Sequence, residues 1–238
     1  MTNVFGFSTE PKTGGDFLPI IKYDARAGRM FRIDRIDTGN GFESNQVDIT
    51  DKFSAQVDFE FLETGWIEFT PGSPPAFVLV KWGDPLPGKP PTGKFKHGVR
   101  FMVKLASSCA DDKPRIREMA GTSNAMLNGI AAVAEQYQRE RNANPGKLPV
   151  IRLVNTFPVK TGSGSQASTN YHPRFEIVGW APRGDLVPQP KSANGTAVST
   201  TNGATPPSTG STHAPAPGQV QQPQQAQQRP ASVADDFG

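Results

Sequence analysis

Lys94, Lys96, Arg100 and Lys104 share one parity, and Phe95 and Phe101 lie among them. In an extended strand, residues of one parity share a face and sit about 6.6 Å apart, close to the phosphate spacing of an extended nucleic-acid strand. Cations track phosphates and rings stack bases when a protein holds a single strand. The row Lys94 to Lys104 carries both ingredients. Its plainer reading is a solvated strand face, with Phe95 and Phe101 in the core.

Two further clusters offer the same chemistry. Lys22, Arg26, Arg29, Arg32 and Arg35 form one, with Phe31 placed to stack beside Arg29 and Arg32. Asp24, Asp34 and Asp37 are interleaved, so local pairing in a solvated hairpin is the competing reading. The other cluster is Arg152, Lys160, the loop Thr161-Gly162-Ser163-Gly164-Ser165, and Asn170, Tyr171, His172 and Arg174. Tyr171 and His172 can stack and donate hydrogen bonds over a bound strand. An ordinary hairpin connection would use the same residues. Trp82, beside Lys81, is a third kind of stacking candidate. Trp66 sits among Glu63 and Glu68, a poor setting for phosphate, and Trp180 shares parity with Arg174, which offers an outward ring as the alternative; for all three tryptophans a place in the core is the favoured reading.

Catalytic patterns are few. Gly162-Ser163-Gly164 lacks the lysine of a phosphate-binding loop. The single cysteine, Cys109, and three histidines do not make a zinc-ligand spacing. Asp111-Asp112 reads as a helix start rather than a carboxylate pair for acid–base work. The expectation is a protein that is not an enzyme, with no cofactor and no metal.

The elements that must position these residues are mostly strands. Phe17 to Tyr23, Arg29 to Ile36, Trp66 to Phe69, Ala76 to Trp82, Val99 to Leu105, Leu148 to Asn155 and Arg174 to Trp180 read as strands bounded by Gly, Pro and Asn turns. From Phe53 to Phe61 the pattern alternates, with aromatic and aliphatic residues on one face and Gln56, Asp58 and Glu60 on the other. That predicts a half-buried strand whose acidic face repels nucleic acid. Four prolines between Gly83 and Gly93 predict a stiff loop. One helix is predicted after Asp111-Asp112-Lys113-Pro114, its apolar face running from Met119 through Ser123, Met126, Leu127, Ile130, Val133 and Ala134 to Tyr137. Several strands, one helix and two strands give a mostly β, α+β class. An elaborated OB-fold-like barrel is the first choice for it.

The chain has 238 residues, a formal charge of +3 and 35% hydrophobic residues. The mild basic excess permits nucleic-acid binding without requiring it. One cysteine excludes an intrachain disulfide framework and fits a reducing cytosol, hence a cytoplasmic location in a bacterial or phage-infected cell. No apolar run approaches the ~20 residues of a membrane helix. Composition divides the chain into a globular part, 1–190, and a Gly/Pro/Ser/Gln-rich tail, 191–238, expected to be disordered. The tail ends Asp235-Asp236-Phe237-Gly238, two acids and a ring after a stretch almost free of charge.

A low-complexity tether with an acidic, aromatic tip resembles the bacterial and phage single-stranded-DNA-binding proteins. The resemblance implies an OB-fold body that binds single-stranded DNA without sequence preference in replication, recombination and repair. It also implies that Asp235, Asp236 and Phe237 recruit other replication or recombination proteins, and it leaves a homo-oligomer open. The tip departs from the family pattern in carrying fewer acids and in ending with Gly238 rather than Phe. A second role for it is to occupy the basic groove when no DNA is bound. Two other readings stay open: a non-enzymatic phage or plasmid protein-interaction module, and an RNA-binding regulator.

Overall fold

Ile21 and Tyr23 are buried while Ile20 and Lys22 are exposed, and this alternation makes β1 (Ile20–Asp24). The computed structural model describes residues 19–39, 41–186, 236 and 237. Phe17 and Leu18 and nearly all of the tail therefore lie outside the described residues. In chain order the remaining elements are β2 (Arg29–Asp37), β3 (Phe42–Asp48), β4 (Ser54–Val57), β5 (Glu63–Glu68), β6 (Ala76–Lys81) and β7 (Lys96–Leu105). A single helical turn α1 (Ser107–Ala110), β8 (Ile116–Gly121), α2 (Asn124–Glu140), β9 (Lys147–Thr161) and β10 (Ser168–Pro182) complete them. The class is mostly β with one main helix.

The strands form one mixed, unclosed sheet in the order β10-β9-β4-β7-β8-β1-β2-β3, with β5 bridging β7 and β6 off that path. All pairs are antiparallel except β1 with β8. The inner face carries Phe53, Ala55, Val57, Phe101, Val103, Leu105 and Met119, closed over by Met126, Ile130, Val133 and Tyr137 of α2. Removing each such side chain from water contributes roughly 1.5–3 kcal/mol, so this layer holds the sheet and helix together.

Three expectations are corrected. Ser123, not Asp111, opens the helix: its hydroxyl accepts from the backbone N–H of Met126 at 3.3 Å. Ile116–Gly121 is a strand between β7 and β1, with Arg117 and Met119 buried at period two. A run of apolar residues at three- and four-residue steps had hidden that shorter period. The segment Phe53 to Phe61 is not half-buried. Strand β4 ends at Val57, is covered on both faces, and gives way to a 3-10 turn at Phe59–Phe61. Asp58 is buried and pairs with Arg183; burial pushes its carboxyl above the usual range despite that partner. It forms no acidic face. Trp180 packs against the core, the reading favoured for it, and stacks on Tyr137 at 5.9 Å.

Helix α2 lies against β10 at Gly129. A Cβ there would come within 2.6 Å of the Pro173 carbonyl and 2.7 Å of its ring. Glycine in a helix interior ordinarily costs about 1 kcal/mol against alanine, so Gly129→Ala would normally stabilise. Here it should destabilise by about 1–3 kcal/mol, because backbone has to move. Urea denaturation of the two proteins checks the sign.

Candidate nucleic-acid interface

Strands β9 and β10 run 15 residues each, so their hairpin projects past the rest of the sheet as an arm. A bulge where Arg174 faces Asn155 and Phe175 faces Leu153 marks its base. Beyond the bulge, Thr156, Pro173 and Tyr171 face inward, and Asn155, Phe157, His172 and Arg174 face outward. Phe157 is 48% exposed and its ring lies 5.6 Å from that of His172. Arg174 is exposed and pairs with Glu176 at 2.8 Å. Among the described residues, Arg152 at the base and Lys160 near the tip have no carboxylate within ion-pair reach.

The arm is fixed to the turn between β1 and β2. The Tyr171 N–H donates to the Ala25 carbonyl at 2.6 Å, and the Tyr23 hydroxyl donates to the Tyr171 carbonyl at 2.7 Å. Gly28 permits this contact; a Cβ at that position would lie 2.9 Å from the Cβ of Tyr171. Two of the three sequence clusters thus meet at one joint. Arg26 and Arg29 stand on the turn, and Lys160, His172 and Arg174 stand on the arm. Tyr171 itself is the fastener, half-buried against Gly28. Phe31 is half-buried on the outer face of β2 beside Lys22.

Arg32 is placed differently. It is 4% exposed, with Nε on Asp34 at 2.9 Å and Nη1 on Asp111 at 2.8 Å and on the Cys109 carbonyl at 2.7 Å. Arg117, wholly buried, holds the other oxygen of Asp34 at 2.7 Å. This network is internal, so Arg32 does not face a ligand. Arg29 is exposed but pairs with Asp48 at 3.0 Å.

The basic row on β7 is divided. Lys96, Arg100 and Lys104 do share a face, and Gly98 keeps the register. Arg100 is paired with Glu63 at 2.5 Å and covers the Phe77 ring, while Lys104 is paired with Asp185 at 2.8 Å. Lys94 precedes the strand, and its N–H is held by Glu68 at 2.6 Å. Lys94 and Lys96 are exposed, and Phe95 is half-buried against Gly93. Trp82 packs beside Phe59, 6.5 Å between rings, and lines a concavity of about 510 Å³ with Leu62, His97, Val99 and Ile130. That concavity is mainly apolar and suits no phosphate.

The tail tip returns to the body. Asp236 accepts hydrogen bonds from Ser107 and Arg115, and Phe237 is 2% exposed beneath the Arg115 guanidinium. Asp235 lies outside the described residues.

No family model, no curated protein and no solved structure matches the chain. Among the described residues no group of His, Cys, Asp and Glu is placed to hold a metal ion, and no helix is long and apolar enough to cross a membrane.

Phe157 was not singled out from the sequence. Its signal was the step from an alternating, half-buried strand into a polar arm, where a ring has no core to join.

The Arg32–Asp111 contact carries a pH dependence. The Arg32 hydrogen bond holds the Asp111 carboxyl below its ordinary value. Asp48 is also lowered: burial alone would raise it, but Thr50 and Arg29 outweigh burial. A carboxylate lowered by folding stabilises the fold above its unfolded pKa and loses that contribution as pH falls through its folded one. The melting temperature should therefore drop below about pH 4, and Asp111→Asn should flatten part of that drop. Thermal melts of both proteins across this range check it.

Proposed function

We propose that the chain binds single-stranded DNA without sequence preference, through the outer face of the β9–β10 arm and the adjoining β1–β2 turn. The observation that carries this reading is the exposed Phe157 ring against the half-buried His172, with Arg152 on the same face toward the base. Lys160 lies near the tip on the opposite, Tyr171 face, and neither cation has a carboxylate within ion-pair reach among the described residues. A ring open to solvent with a cation on the same face is what an unpaired base and its phosphate require. Paired cations such as Arg100 and Lys104 would have to exchange a partner first, so they contribute less.

The topology supports an OB-like reading of the body. Counted as the five strands of an OB barrel, β4, β7, β8, β9 and β10 lie in the order 5-4-1-2-3 across the sheet, with α2 before the last two. In that fold, the connections between strands 1 and 2 and between strands 4 and 5 contribute to oligonucleotide binding. The second of these connections is the tip of the arm. The first contains Lys89, Lys94 and the proline loop. β1 stands beside β8, where a closed barrel would bring its fifth strand.

Under this reading, the protein acts in replication or recombination, and Asp236 and Phe237 serve as the contact for partner proteins. Anisotropy of a labelled dT oligonucleotide should rise saturably at low salt. Affinity should fall steeply as salt increases, because phosphate neutralisation releases counterions. Phe157→Ala should cost about 1–3 kcal/mol of binding with the salt slope unchanged. A combined Arg152→Ala and Lys160→Ala variant should reduce the slope by roughly two. No binding at low salt would overturn the proposal. Stronger binding to a matched RNA would redirect it to RNA.

A further inference from the structure

Four polar contacts converge on Asp236. The Ser107 N–H donates to its carboxylate at 2.7 Å, the Ser107 hydroxyl donates to the other oxygen, and Arg115 Nη2 donates to the carboxylate at 3.2 Å. The same Nη2 donates to the Asp236 main-chain carbonyl at 2.8 Å. Phe237 is covered by the Arg115 guanidinium, 5.3 Å from the ring centroid, and joins the apolar core.

The donors are held in place by the body. Arg115 Nε is bonded to the Leu105 carbonyl at 2.7 Å. The N–H of Ala106, next to Ser107, is bonded to Ser54 of the neighbouring strand at 2.9 Å. Such fixed donors select by geometry. A glutamate would push its carboxylate one methylene further out, and an aliphatic residue at 237 would lose the ring beneath the guanidinium. Burial alone would raise the Asp236 carboxyl, but the two Ser107 hydrogen bonds outweigh it, followed by Arg115 and Lys104, and the net direction is down.

We propose that Ser107, Arg115 and the apolar floor between them form a peptide-binding socket for an aspartate followed by an aromatic residue, and that Asp236 and Phe237 of the same chain occupy it. The socket shares no residue with the arm, so it stands independently of how nucleic acid is held. About 50 residues join Leu186 to Asp236. A tethered ligand experiences an effective concentration on the order of millimolar, so even a weak socket stays filled. Where the tip also serves partners, as proposed above, a partner has to draw it out of this socket, and its apparent affinity is lowered by the occupied fraction.

The test uses a fluorescent peptide with the sequence of residues 230–238 and the full-length Phe237→Ala protein, whose own tip cannot fill the socket. Saturable binding is expected. Binding to the wild-type chain should be weaker by about tenfold, because the resident tip competes. In the Phe237→Ala background, Arg115→Ala and Ser107→Ala should each weaken the peptide by about tenfold, the loss expected for a charge-assisted contact. A peptide with Asp236 and Phe237 exchanged should not bind. Arg115→Lys serves as a second variant, keeping charge without the flat guanidinium, should Arg115→Ala fold poorly.

Equal binding of the native and exchanged peptides, or binding insensitive to both Arg115 variants, would overturn the socket. Equal affinity for wild-type and Phe237→Ala proteins would overturn its occupation by the tip. Sedimentation separates the source of the tip. Monomers support the chain's own tip, whereas self-association abolished by Phe237→Ala overturns that clause in favour of a neighbouring copy. The assay contains no DNA, so failure of the DNA-binding proposal leaves its outcome readable.

Discussion

Two hydrogen bonds between the β1–β2 turn and β10, from Tyr171 N–H to Ala25 and from Tyr23 to Tyr171, set the geometry of the candidate interface. They join elements more than 140 residues apart in sequence. The order β10-β9-β4-β7-β8-β1 would otherwise leave the two hairpins as separate projections. Gly28 lets the backbones approach, and its φ of +68° is one that only glycine adopts at little cost. Burial of the Tyr23 hydroxyl makes its hydrogen bond costly to break, since the group would be left without a partner away from water. The arm is therefore held at its base while its outer face stays open.

Charge pairing decides which cations on that framework remain available. Arg32 and Arg117 are committed to Asp34 inside the sheet, and Arg100 and Lys104 to Glu63 and Asp185 on its surface. A buried charge would lose several kcal/mol if stripped of its partner, so the first two are structural. An exposed pair is worth little in stability, about 0–1 kcal/mol, yet each pairing lowers the positive field a phosphate would meet. The arm escapes this. Among the described residues the carboxylate it carries, Glu176, lies near the base, opposite Arg152 in register and ion-paired with Arg174. What distinguishes the arm is less the number of its cations than the scarcity of acids around them.

How much of this was legible in the sequence follows from the range of the forces involved. The alternation of β1, β2, β6 and β7 is a local signal, and it located those strands to within a few residues. For β9 and β10 it located only Leu148 to Asn155 and Arg174 to Trp180, because the arm beyond them has no core to alternate against. Strand β3 carries only polar residues between Phe42 and Val47, so no alternation marked it. Strand β8 was masked because Met119 fits a helical step as well as a strand step. Of the candidate residues, the solvent exposure of Lys160 and Arg174 was legible because a Gly-Ser loop between two strands exposes its neighbours, whereas His172 is half-buried. The burial of Arg32 was not, since its partners Asp111 and the Cys109 carbonyl lie more than 70 residues away. Lys104 likewise looked free until the turn after β10 brought Asp185 to it. Long-range pairing is a tertiary fact, and parity along one strand cannot reveal it.

The tip is the sharpest case of that limit. Two acids and a ring at the end of a polar tail suggest a freely exposed contact, because composition offers the ring no core. The body does offer one. Arg115 is partly exposed, and among the described residues its guanidinium is bonded to the Leu105 carbonyl and to Asp236. A cation fixed in direction but not neutralised is a receptor for a carboxylate, and the apolar floor beside it makes it selective for one followed by a ring. The arm and the socket thus use the same ingredients, a cation and an aromatic, in opposite arrangements. On the arm the protein supplies the ring and a ligand would supply the second plane, so any base fits. In the socket the ligand supplies the ring and the protein supplies a fixed cation over it, so only one order of residues fits. Tolerance in the first and selectivity in the second follow from which side carries the ring, and neither depends on how many charges are present.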